Sequence, residues 1–205
     1  MTKHTVDQAE AFQEIFDFFN DNLFAGELPL VILNFSRSSA KTLAFHKSNT
    51  WTPESGNNQD KLSEISLTPR FLNRPKIEIF SSLVHEQCHL WQHNFGKKKS
   101  RAGYHNQEWA DKMLEVGLKP VSSNGTMTGQ SVSHEIVSGG KFEQSFKVIE
   151  KDLKLPFLVL NEDKKVISKA TRSKYLCDIC SAIVYGKREM KIICGECNVQ
   201  YKVQT

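Results

Sequence analysis

His85, Glu86 and His89 stand together as HEQCH, and this pentapeptide constrains the chain more than any other feature. On a helix, positions i and i+4 share one face. Two imidazoles at that spacing can reach a single Zn²⁺, while the Glu between them faces a water held by the metal. The flanking residues favour a helix. Phe80, Val84, Cys88 and Trp91 recur at helical spacing between Ile77 and Asn94, Asn73 and Pro75 signal a start, and Gly96 signals a stop. The competing reading is a pair of solvent-facing histidines on an amphipathic helix.

A catalytic zinc needs three protein ligands and one open position, so HEQCH alone is incomplete. His93 lies four residues beyond His89, but eight residues of helix advance about 12 Å from His85, too far for bonds of about 2 Å to one ion. His105, in AGYHNQEW, follows a loop that can fold back under the metal and is the chosen third ligand. His46 and His134 remain alternatives, and nothing argues for His4. Glu86 is placed to act as a general base on water. Tyr104, beside His105, is a candidate second electrophile for a developing oxyanion, with a packing tyrosine as the alternative. Cys88 lies on the Val84/Trp91 side of the helix and reads as a small buried hydrophobe.

Five cysteines could suggest disulfides, but four of them form two C-x-x-C pairs. Cys177 and Cys180, then Cys194 and Cys197, are separated by thirteen residues. That spacing matches two knuckles closing one tetrahedral Cys₄ zinc site, a structural site with no position for water. The expectation is therefore two zinc ions, one catalytic and one structural, in a reducing cytoplasm. No stretch approaches the roughly 18 apolar residues that cross a bilayer, and MTKHTVDQAEAF has no apolar h-region, so neither export nor a membrane is expected.

Charge is unevenly placed. Residues 1–163 hold 18 Lys+Arg against 20 Asp+Glu, whereas residues 164–205 hold 9 against 3. Four thiolates and one divalent ion would still leave the tail at about +4, which suits an anionic partner such as nucleic acid. Lysines that merely solubilise a tiny domain are the alternative.

The 205 residues, 39% hydrophobic, suffice for one sizeable core plus a small appendage. Val6 to Phe24 carries a helical apolar stripe ended by Gly26. Residues 30–35, 42–46 and 62–67 read as strands of a small sheet, and 107–116 and 142–153 as helices. Residues 120–141, rich in Ser, Thr and Gly, read as either a linker or an ordered loop. The domains are drawn at 1–153 and 154–205, and the fold class is α+β.

HEQCHLWQHNFG, YHNQEWADKMLEVGLKP, TGQ and the C-terminal CxxC pairs together resemble the bacterial SprT-like family, relatives of the DNA-dependent protease Spartan. The resemblance covers most of the chain. It implies a minimal zincin-like α+β metalloprotease domain followed by a Cys₄ zinc ribbon, with His85, His89 and His105 as zinc ligands and Glu86 as catalytic acid/base. The implied activity is a zinc endopeptidase acting on proteins associated with or crosslinked to DNA. The expected partners are DNA, single strands included, and the proteins on it, with the chain a monomer. The alternative is a nucleic-acid-binding accessory protein with little or no proteolysis.

Overall fold

The computed structural model describes residues 3–36, 42–54, 61–101, 103–152, 154–159 and 172–204. The chain divides into two compact units, Met1–Asn161 and Glu162–Thr205. That division falls later than the boundary drawn after residue 153. The difference has a physical cause: Phe157 exchanges two hydrogen bonds with the Gln8 side chain, at 3.0 and 3.2 Å, and sets its ring edge-on against His4 at 5.0 Å. Residues near 157 thus belong to the first unit.

In that unit, α1 (His4–Phe24) buries Phe12, Ile15, Phe16, Phe19 and Leu23, the stripe that its 3.6-residue period dictates. It ends at Ala25, in the left-handed conformation, and the Asn20 side chain takes the Leu28 backbone N–H at 3.1 Å to turn the chain. β1 (Val31–Phe35), β2 (Ala44–Trp51) and β3 (Leu62–Leu67) form a sheet in the order β1-β3-β2, with β1 parallel and β2 antiparallel to β3. β3 is the central strand and is nearly all buried, Ser63, Glu64 and Ser66 included, with the Trp51 indole N–H donating to the Glu64 carboxylate at 2.8 Å; β2 is an edge.

α2 (Lys76–Phe95) carries HEQCH and lies deep in the core, burying Ile79, Phe80, Leu83, Val84, Cys88 and Leu90. Gln87, one of the two unspecified residues of the motif, is also fully buried and donates to the Phe16 carbonyl at 2.9 Å, pinning α2 to α1. α3 (Gln107–Val116) is capped by Asn106, whose side chain accepts from the Trp109 N–H, and ends at Gly117 with φ 91°. Any other residue there would place a Cβ 2.8 Å from the Lys141 nitrogen, so the position requires glycine.

The stretch left open between linker and ordered loop is ordered. β4 (Leu118–Ser122) and β5 (Val132–Ile136) pair antiparallel, with Pro120 opposite His134. α4 (Lys141–Ile149) then packs Phe142 and Phe146 into the core and ends before residue 153. In the second unit, β6 (Arg172–Leu176), β7 (Ile183–Lys187) and β8 (Lys202–Gln204) form a sheet in the order β7-β6-β8. Among the described residues, no helix is long and apolar enough to cross a membrane.

Candidate metal centre

The helical spacing of HEQCH places His85 and His89 one turn apart, their ring centroids 5.1 Å from each other. His105 arrives from the segment just before α3 and closes the triangle, 5.4 Å from His85 and 4.7 Å from His89. One ring nitrogen of each lies within 4.8 Å of the other two, a span that a single zinc ion with bonds of about 2 Å can bridge with small ring movements. His105 is held there twice. Its backbone pairs with Gly129 in an isolated bridge, and its Nδ1 lies 2.9 Å from the Gly129 carbonyl. A carbonyl can only accept, so Nδ1 carries the proton and Nε2 is left bare for a metal.

Burial pushes the titration of all three imidazoles down; histidine neighbours add to the effect at His85 and His89, which fall well below the usual range, while the Gly129 carbonyl opposes it at His105. Neutral imidazoles are the metal-binding form. Trp109 closes the back of the cluster. Fully buried, it stacks on His89 at 5.1 Å and stands edge-on to His85 and His105 at 4.9 and 4.3 Å. Nothing in the sequence reading singled it out, although its position four residues after His105 at the start of α3 was a usable signal.

Glu86 is buried beside the triad. Burial raises its carboxyl to about 8, and the backbone N–H of His46 on the edge strand β2 opposes that rise. His46 itself is held neutral, lowered to about 4 by burial and by His93, whose ring lies 6.0 Å away. His93 therefore turns toward β2, as its distance along α2 requires. His134, the other alternative ligand, lies outside the cluster of three; its Nδ1 approaches His85 Nδ1 at 3.1 Å. Cys88 is fully buried in the core and its thiol is pushed up by burial, the behaviour of a small hydrophobe. Tyr104 precedes His105 in a groove of about 630 Å³ whose lining includes Lys98, Lys99, Arg101 and Gln107, and the Arg101 guanidinium sits 5.2 Å above its ring.

The second cluster is in the other unit. The four sulfurs of Cys177, Cys180, Cys194 and Cys197 lie within 4.8 Å of one another, and Cys180 and Cys194 are 3.7 Å apart. A tetrahedral zinc with Zn–S bonds of about 2.3 Å sets sulfurs about 3.8 Å apart, so the thiols fit that ion. The two knuckles repeat one backbone pattern: the N–H of Cys177 bonds to Ala182 and that of Cys194 to Val199, while Ser181 and Asn198 donate back to the cysteine carbonyls. Ser181 and Asn198 both take positive φ, 59° and 50°, to make the turn. Backbone N–H groups of Cys197 and Glu196 pull the Cys194 thiol down to about 6, toward the thiolate a metal binds.

A helix presenting HExxH, a third histidine from a following segment and a buried glutamate beside them form a candidate metal centre of zincin-like layout on an α+β domain. The SprT-like family matches residues 12–131, more than half of the chain and the whole of this centre, and the chain belongs to that metallopeptidase-like family. No curated protein matches it.

Proposed function

We propose that the protein is a zinc-dependent endopeptidase that acts on proteins associated with or crosslinked to DNA. The observation that carries the catalytic part is Glu86: a carboxyl buried beside three convergent imidazoles has little structural use there and a direct chemical one. His85, His89 and His105 would hold zinc, which when bound supplies a Lewis acid for the peptide carbonyl and lowers the pKa of water. Glu86 accepts the proton of the attacking water as its oxygen bonds to the carbonyl carbon, and returns that proton to the leaving nitrogen as the C–N bond breaks. The His46 N–H orients the carboxyl for both transfers. Tyr104 is the candidate donor to the developing oxyanion, and Tyr104→Phe tests it by a selective fall in kcat.

The DNA part is supported by charge. Lys97, Lys98, Lys99 and Arg101 lie between the zinc helix and His105, on a loop whose backbone is braced: the Glu108 carboxylate accepts from the Lys97 and Lys98 N–H groups at 3.0 Å each, and Asn106 donates to the Lys98 carbonyl at 2.8 Å. A fixed loop carrying four cationic side chains suits a phosphate backbone beside the cleft. The ribbon adds net positive charge. The test is hydrolysis of casein-like and DNA-bound substrates by zinc-loaded protein, with and without single-stranded DNA. Cleavage stimulated by DNA is expected. Changing the four cations to Ala should flatten the salt dependence of DNA affinity by up to a few logarithmic units per decade. Zinc-loaded protein that binds DNA and cleaves nothing would establish the accessory role instead.

A further inference from the structure

The proton positions around His85 can be worked out from one fixed point, the backbone carbonyl of Glu78, which can only accept. The Ser81 hydroxyl lies 3.0 Å from it and donates to it, sharing that oxygen with the Ser82 hydroxyl at 2.9 Å and the Arg74 guanidinium at 3.2 Å. Ser81 Oγ can then only accept from His134, whose Nε2 is 2.9 Å away, so the His134 proton sits on Nε2. The other nitrogen of a neutral His134, Nδ1, is a lone pair, and it faces His85 Nδ1 at 3.1 Å. His85 therefore donates through Nδ1 and keeps Nε2 bare. A doubly protonated His134 would force the His85 proton onto Nε2, where it would block a metal.

We infer that His134 is a positioning residue for the metal centre: through the chain Glu78 carbonyl, Ser81, His134, it fixes the tautomer and ring orientation of His85. This rests on the reading of His85, His89 and His105 as a zinc site. The family match ends at residue 131, three residues before His134, so the assignment comes from the geometry. Gly129 performs the same service for His105. One short stretch, from Gly129 to His134, thus orients two of the three ligands, and the register of β5 against β4 aims His134 at α2. Outer partners of this kind typically account for about 10–100-fold in metal affinity.

The test measures zinc retention at the histidine site of the full chain under chelator competition, with His105→Ala as the reference in which only the ribbon ion remains. His134→Leu, which can neither accept nor donate, should weaken retention by about 10–100-fold. His134→Gln should restore most of it, because its amide can accept from His85 and donate to Ser81. Long-range ¹H–¹⁵N spectra of zinc-loaded wild type should show His134 protonated on Nε2 alone and His85 on Nδ1 alone, a readout that requires no variant to fold. Unchanged retention in His134→Leu, or a His134 proton on Nδ1, overturns the inference. A wild-type chain that retains only the ribbon zinc overturns the metal reading beneath it, so the two failures are distinguishable.

Discussion

At Glu86, burial and one backbone N–H act in opposite directions on a single carboxyl, and burial is the larger effect. Glu86→Gln fills the same space without a proton-accepting oxygen pair, so peptide hydrolysis should fall at least about 10²–10⁴-fold while zinc content stays unchanged; His105→Ala should instead lose one zinc. The same burial gives a pH signature in the metal-free protein. The folded state holds the Glu86 proton up to about 8 against an ordinary 4.5, so stability falls as pH rises through that window, by on the order of a few kcal/mol. Metal-free Glu86→Gln should therefore out-melt metal-free wild type at pH 8 and match it at pH 4.5. His46 and His134 work in the other direction. Both are lowered to about 4, so the stability they contribute is present above about 6.5 and is lost as pH falls toward 4. Thermal melts of the metal-free protein across pH 4–8 should show an optimum at about pH 6.5, where the two trends balance, and a flat profile would contradict the burial assigned to these groups.

Among the elements, α3 couples fold stability to the site most directly. Its cap, Asn106, accepts from the Trp109 N–H at 2.9 Å and donates to the Lys98 carbonyl, so one side chain fixes the start of α3, the ring that backs the triad and the cationic loop. Asn106→Ala should cost about 1 kcal/mol in denaturant unfolding, the usual worth of an N-cap, and should also loosen the histidine-site zinc. A stability loss with unchanged zinc affinity would uncouple cap from site. The helices carrying the site were legible because their periodicity is strong and their stop signals, Gly96 and Gly117, are clear. β4 and β5 were not: Lys119, Ser133 and Glu135 alternate outward as strand residues should, but Pro120 and His134 take inward positions where apolar residues would have marked a strand, and the pair is held by backbone register and by packing of Leu118 and Val132 into the core.

The two units of the whole molecule differ in what holds them together. The first has an extensive apolar core around α1, α2 and α3. In the second, the buried hydrophobic residues among those described are Tyr175, Cys177 and Cys194, so the cysteine cluster stands where a core would be. Two zinc ions per chain are expected, and a chelator should first remove the one whose coordination keeps an open position. Withdrawal of the second should unfold the ribbon while the helical circular dichroism of the first unit persists. Ending the chain after Asn161 should leave a folded, one-zinc protein that cleaves a generic substrate without a response to DNA. Loss of the first unit's helicity on that truncation would show that the two units fold as one.

By itself the sequence determined the HEQCH helix, the two cysteine pairs and the α1 stripe, because each is written in local spacing: 3.6-residue periods, i and i+4 faces, and paired knuckles; it chose His105 with His46 and His134 still open, and the fold brings His105 to His85 and His89. Tertiary structure alone decided which groups surround them. His46 reaches Glu86 from an edge strand forty residues away, Trp109 backs all three imidazoles, and Gly129 and His134 come from a Ser- and Gly-rich stretch with no periodic signal. Ligands are chosen by chemistry that a motif can record, whereas the partners that orient them are chosen by where the backbone passes, and that depends on packing between elements distant in the chain.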